Sequence, residues 1–202
     1  MVISNRIKIN REVIARDNVS LPELLQENNS LSPEKFYDHL QCNYPKFFKM
    51  DKLCKWAMAG AAYLFSDNDL LYTGIDKNMI AVILTTSHGC LDVDKRYYDG
   101  NSVPSPALFV YTLPNIMLGE ICIRYGFKGE QLCMVSEKFD AEELYFTTHD
   151  VITNRGMEAC LCGWVDATSD QYNVCLFWVT KNGNGPGFTP ALLKELYHLG
   201  EK

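Results

Sequence analysis

Met79-Ile80-Ala81-Val82-Ile83-Leu84-Thr85 carries no charge and is apolar up to its closing threonine. A strand that must hide both faces has this character, whereas a strand with one face in water alternates. The stretch therefore predicts the middle of a parallel or mixed sheet with helices on each side. Upstream, Asp51 offers a side-chain cap to a helix over Lys52–Phe65. In that helix Leu53, Trp56, Ala57, Gly60, Ala61 and Leu64 recur with a helical period. Its face of small residues predicts a very close approach to a neighbour. Ser32-Pro33-Glu34 pairs N-cap chemistry with a proline in the first turn and predicts a helix over Ser32–Leu40. A shorter helix is expected over Leu21–Leu25, with the rest of 15–45 irregular. Ile3–Ile9 alternates and reads as the first strand.

Downstream, Ser102–Pro106 is expected to be extended or turned because of its prolines. A helix over Asn115–Tyr125 follows, then a strand over Gln131–Ser136. A long helix over Ala141–Arg155 is closed by Gly156. Glu158–Ala167 and Tyr172–Thr180 read as neighbouring strands. Asn182-Gly183-Asn184-Gly185-Pro186-Gly187 is a flexible loop with no phosphate-cradle pattern. Thr189-Pro190 opens a terminal helix with Leu192, Leu193, Leu196 and Tyr197 as its apolar stripe. Strands alternating with helices make an α/β layered domain with a five-stranded mixed sheet flanked by helices. It is read as one domain over 1–202, with a loop at 181–188 and a terminal helix at 189–201.

The 202 residues suffice for one sizeable core, and 47% apolar with 22% charged residues is ordinary globular composition. A net charge of -6 argues against a general nucleic-acid binder. The 8 cysteines include no CxxC pair, so no metal site is expected. Met1–Arg11 is polar and basic, without the apolar stretch of a leader peptide. No run of about 18 apolar residues predicts a membrane span. The expectation is a cytoplasmic chain with reduced cysteines.

Four stretches resemble the β-ketoacyl synthase family, of thiolase-type fold. Pro45-Lys46-Phe47-Phe48-Lys49-Met50-Asp51-Lys52-Leu53 is similar to that family's Phe-x-Lys/Arg-Met-Asp helix entrance. Ser105-Pro106, Asn115 and Gly119-Glu120-Ile121 are similar to its Ser-Pro, Asn and Gly-x-Ile run. Gly126-Phe127-Lys128-Gly129-Glu130 is similar to its Gly-x-x-Gly-Pro, and Cys162-Gly163-Trp164-Val165-Asp166 to its Ala-Gly-Gly-x-Glu. Their order and spacing agree with the family over roughly residues 40–180. The resemblance implies a thiolase-like N-terminal half-domain and no bound cofactor.

Two departures shape the functional expectation. The family's nucleophilic cysteine sits in a sharp strand-to-helix turn among small residues. Counted from Gly129, that turn falls on Ser136-Glu137-Lys138-Phe139-Asp140-Ala141, with Lys138, or Phe139 one residue on, at the nucleophile position. The family's catalytic histidine pair lies in a second half-domain, and none of His39, His88, His149 and His198 stands in a matching context. Condensation needs a thiolate to carry the acyl group and imidazoles to stabilise the enolate and oxyanion. The resemblance thus implies a non-catalytic, chain-length-factor-like subunit that pairs with an active ketosynthase, or with itself, and shapes acyl-chain elongation. Two other readings stand beside it. One is a stand-alone acyl- or carrier-binding protein. The other is an acyltransferase-type enzyme with a different nucleophile, such as a desolvated Lys138.

Individual residues carry further expectations. Lys138 otherwise reaches solvent or pairs with Glu137 or Asp140. Cys133, Cys160 and Cys162, mid-strand, read as small buried hydrophobes. Thr85-Thr86-Ser87-His88-Gly89-Cys90 ends the buried strand and reads as a structural loop rather than a Cys/His pair. Lys46, Lys49, Lys52 and Lys55 recur every third residue, either as a solvated helix face or, as the resemblance implies, as the docking site of an acidic acyl carrier protein. Gln131–Ser136 is so uniformly apolar that it wants cover on both faces. At a sheet edge it would need a partner's strand.

Overall fold

The computed structural model describes residues 1–22, 24, 31–66, 72, 74–99, 106–169 and 171–199. Along the chain run β1 (Val2–Ile9), β2 (Ile14–Arg16), β3 (Val19–Ser20), α1 (Pro33–His39), α2 (Lys52–Phe65) and β4 (Ile80–Thr86). They are followed by α3 (Leu91–Asp99), α4 (Pro106–Val110), α5 (Ile116–Tyr125), β5 (Gln131–Val135) and α6 (Ala141–Thr153). The chain closes with β6 (Ala159–Ala167), β7 (Tyr172–Thr180) and α7 (Pro190–Tyr197). The strands form one sheet in the order β3-β2-β1-β7-β6-β4-β5. β4 is parallel to both neighbours, β5 and β6, while β7 is antiparallel to β6 and β1 antiparallel to β7.

All of β4 is buried, as its composition predicts. The alternation of a strand's side chains divides it between two cores. Ile80, Val82 and Leu84 join α1, α2 and α5 on one face. Ala81 and Ile83 join α6 and α7 on the other. β6 is shared in the same way, with Leu161 and Val165 on the first face and Cys160, Cys162 and Trp164 on the second. The sheet is thus the middle layer of three, which is the mixed α/β, thiolase-like architecture expected.

The helix starts follow their caps. Ser32 accepts from Lys35 N, Asp51 from Leu53 N and Cys54 N, and Thr189 from Leu192 N. α2 lies deepest. A Cβ on Gly60 would stand 2.9 Å from Val174 Cγ1 and 3.1 Å from Leu176 Cδ1, so the small-residue face does bring the helix onto β7. Trp56 of the same helix stacks on Tyr172, with ring centroids 4.1 Å apart. Gly163, in the middle of β6, has φ +149, and a Cβ there would lie 2.1 Å from the Cys175 carbonyl oxygen. Only glycine fits that crossing of β6 and β7.

Among the described residues the sheet has seven strands, not five. The two extra ones, β2 and β3, come from the stretch read as irregular. They are too short to show alternation and are recruited by pairing with β1. Their turn is fixed by Asp17, at φ +53, whose carboxylate accepts from Arg6 N at 2.9 Å. α3 also appears where no helix was read, because Val93 is its single buried residue and it has no apolar stripe to see. α6 stops at Thr153, two residues before the expected end, with Gly156 at φ +80 beyond it. α7 ends at Tyr197, and 200–202 lie outside the described residues. Residues 23 and 25 of the helix read over Leu21–Leu25, and 102–105 of the extended Ser102–Pro106, also lie outside the described residues. Pro106 itself begins α4.

Candidate functional site

In open sheets of this kind, ligand and reaction sites gather at the carboxyl ends of the parallel strands. Here those ends bring together the Ser87–Cys90 turn after β4, the 136–140 segment after β5 and Asp166 near the end of β6. Asp166 organises the group. Its Oδ1 accepts from Thr86 Oγ1 at 3.0 Å, Ser87 N at 3.0 Å and His88 N at 2.9 Å. Its Oδ2 lies 2.7 Å from His88 Nδ1. One carboxylate therefore fixes the turn and, with it, the exposed imidazole of His88. Asp166 belongs to one of the four motifs, but its work is not legible there, because its partners lie 78–80 positions away. Its signal was a carboxylate closing an otherwise apolar strand.

The loop role read for Thr85–Cys90 agrees with this geometry. His88 is taken up by Asp166, and Cys90 is buried, its thiol pushed up to about 12 by desolvation first and then by Asp51 and Asp94. Such a thiol supplies no thiolate at neutral pH. Cys133 is half-buried on β5, and burial raises it to about 11. Cys160 and Cys162 are fully buried between β6 and α6, where desolvation lifts Cys160 well above its ordinary range. Among the described residues no three His, Cys, Asp or Glu side chains converge as metal ligands.

The segment at the expected nucleophile turn is neither sharp nor open. β5 ends at Val135, and five residues pass before α6 begins. Ser136 N donates to Thr86 O at 3.0 Å, and Ser87 Oγ to Glu137 O at 3.2 Å. Asp140 Oδ1 then accepts from Glu142 N and Glu143 N. A carboxylate thus occupies the helix N-terminus, where a nucleophile turn would offer its N–H groups to a developing oxyanion. Glu137 and Lys138 are exposed, and Lys138 forms no ion pair with Glu137 or Asp140. Phe139 turns inward, stacked on Tyr197 at 4.1 Å and edge-on to Trp164 at 6.3 Å, so it fastens the segment to α7.

The four lysines do not form one stripe. Lys46 and Lys49 belong to a 3-10 turn over Pro45–Lys49, and Lys52 and Lys55 to α2, with the Met50–Asp51 bend between. Lys46 Nζ pairs with the buried Glu120 at 2.8 Å, and Lys55 Nζ with Glu34 at 2.7 Å. Lys52 Nζ donates to the Ser169 carbonyl at 2.9 Å. Lys49 is exposed without a partner among the described residues.

A second feature lies along β5, the edge of the sheet. Leu132 is 43% and Val135 65% exposed, and the helices flanking the strand add Ile123 at 65% and Phe146 at 73%. Among the described residues the outer edge of β5 pairs with no strand. Soluble domains usually blunt such an edge with charge or cover.

No protein-family model matches the chain, and no curated protein does. Solved structures do. One is a type II PKS acyl-carrier protein in complex with its ketosynthase bound to the hexaketide (AntDE:AntF), with TM-score 0.63 and 13% identity over 89% of this chain and 62% of that one. Another is the ishigamide ketosynthase/chain length factor, with TM-score 0.60 and 14% identity over 89% and 62%. A third is a ketosynthase (ApeO) in complex with its chain length factor (ApeC) from Xenorhabdus doucetiae, with TM-score 0.58 and 14% identity over 98% and 91%. The chain spans less than two thirds of the first two and nearly all of the third. At such identities the likeness establishes the fold, which is that of the thiolase-like ketosynthases and chain length factors.

Proposed function

We propose that this chain is a non-catalytic, ketosynthase-like subunit that pairs with an active ketosynthase and shapes acyl-chain elongation in a polyketide, aryl polyene or fatty acid type of pathway. The observation that carries the reading is the β5 edge. An apolar strand with open backbone groups, flanked by exposed Ile123 and Phe146, is suited to join the corresponding strand of a partner and continue the sheet. The solved structures of like fold include ketosynthases described together with chain length factors and with an acyl-carrier protein. That association supports the choice of partner. An obligate interface of this type buries on the order of 2,000 Å² or more. A homodimer joined through the same edge is the simpler form of the assembly.

The absence of condensation rests on the 136–140 segment, where exposed Glu137 and Lys138 and an inward Phe139 stand in place of a small-residue turn with a thiol. Acyl-carrier docking, expected at Lys46, Lys49, Lys52 and Lys55, is assigned to the first two. Among the described residues Lys49 has no partner and Lys46 is partly exposed, while Lys52 and Lys55 face a concavity. No helix among the described residues is long and apolar enough to cross a membrane, and the chain is read as one cytoplasmic domain.

Co-expression with the ketosynthase encoded nearest to it, followed by light scattering, tests the pairing. A stable complex of two chains is expected, and clean monomers in every combination would refute it. Incubation of the purified chain with acyl- and malonyl-carrier protein should release no carbon dioxide. Decarboxylation abolished by Lys138→Ala would instead make the chain an enzyme.

A further inference from the structure

Lys52 and Lys55 do not open onto a flat face. They line a cavity of about 330 Å³ beside α1, α2 and the β6–β7 turn. It continues into a second cavity of about 290 Å³ past Asp51, Lys52, Arg96 and Ser169, which border both. Each is about the lower size of a small-molecule site, roughly 300 Å³. Arg96 enters from α3, and Arg11 from the turn between β1 and β2.

The charges decide what fits. Three carboxylates border the space, and each is already engaged. Glu34 holds Lys55 at 2.7 Å, Asp92 accepts from Ser169 Oγ at 2.9 Å, and Asp51 caps α2 through Leu53 N and Cys54 N. Lys52 spends one donor on the Ser169 carbonyl and keeps two. Arg96 is exposed and makes no hydrogen bond or ion pair with the described residues, so its five donors are open. The first N–H groups of α2 are taken by Asp51, so that helix contributes only its field.

We propose that the double cavity binds a small phosphate ester, held by the Arg96 guanidinium and the Lys52 ammonium. The planar fork of an arginine meets two phosphate oxygens at once, and a lysine adds a point charge. A concave wall suits a small ligand better than the convex surface of a protein, and the Asp51 carboxylate bordering it is spent on the α2 cap. This inference shares no residue with the β5 edge and stands whether or not the chain pairs with a ketosynthase.

Calorimetric titration of the full chain with inorganic pyrophosphate, ADP and adenosine tests it. Saturable binding of one pyrophosphate or ADP per chain is expected, with none for adenosine. Binding of ADP alone would identify a nucleotide, and equal binding of both would identify the phosphate as the whole determinant. Arg96→Ala and Lys52→Ala should each raise Kd by roughly tenfold, the worth of one charge-assisted contact, with the circular dichroism unchanged. Lys181→Ala, outside the cavity, should leave Kd unaltered. No saturable binding of either phosphate, or a loss in Lys181→Ala as large as in Arg96→Ala, would overturn the assignment.

Discussion

β4 and β5 are parallel neighbours, paired from Val82 against Gln131 to Thr86 against Val135, and both are rich in apolar residues. Every residue of β4 is buried, with helices on both faces and a strand along each edge. In β5 no residue is fully buried. Apolar content alone therefore does not tell where a strand lies. β4 uses its side chains inside the chain. β5 leaves the same kind of side chain unspent, together with a row of backbone groups, and an unspent apolar edge is the mark of assembly rather than of folding.

Substitutions can break that contrast, and the largest effect belongs to the closed side. Gly163→Ala would drive a methyl into the Cys175 carbonyl, an atom held by the β6–β7 pairing. A loss above about 4 kcal/mol is expected, seen as failure to recover folded protein. Leu84→Ala in β4 should cost about 2–5 kcal/mol in urea unfolding, the range for a fully buried leucine. Asp51 sharpens the contrast through pH. Its folded pKa is raised above the unfolded one, chiefly by burial, so the folded chain holds that proton longer. Its unfavourable contribution is absent below the unfolded carboxylate pKa and grows as pH rises through the folded one. Asp51→Asn keeps the cap and should be more stable than the parent at neutral pH, with the difference vanishing in acid. The smallest effect on the isolated fold belongs to the open side. Val135→Asp should shift unfolding by no more than about 0.5 kcal/mol, yet abolish pairing by light scattering.

What could be read from the chain follows the same division. β4, the capped helices at 33–39 and 52–65 and the β6–β7 pair carry their signals locally, in periodicity, caps and small residues. β2 and β3 do not, since five residues exist as strands only because β1 recruits them. The Lys46–Lys55 spacing predicts a stripe, but the Met50–Asp51 bend divides it between two elements, and ion pairs with Glu34 and Glu120 occupy half of it. The work of Asp166 and the double cavity are not legible locally, because both depend on residues far apart in sequence meeting at the carboxyl ends of the strands. Two residues of the four motifs are fixed by the backbone: Asp51 by a cap and Gly163 by a crossing.

The central claim, that β5 is completed by a partner's strand, is tested most directly by hydrogen exchange of the amides from Gln131 to Ser136. They should be followed in the ketosynthase-paired protein and in the Val135→Asp variant. Outward-facing amides of β5 should exchange slowly in the pair and rapidly in the variant. Equally fast exchange in both, with the ketosynthase still bound, would contradict the account.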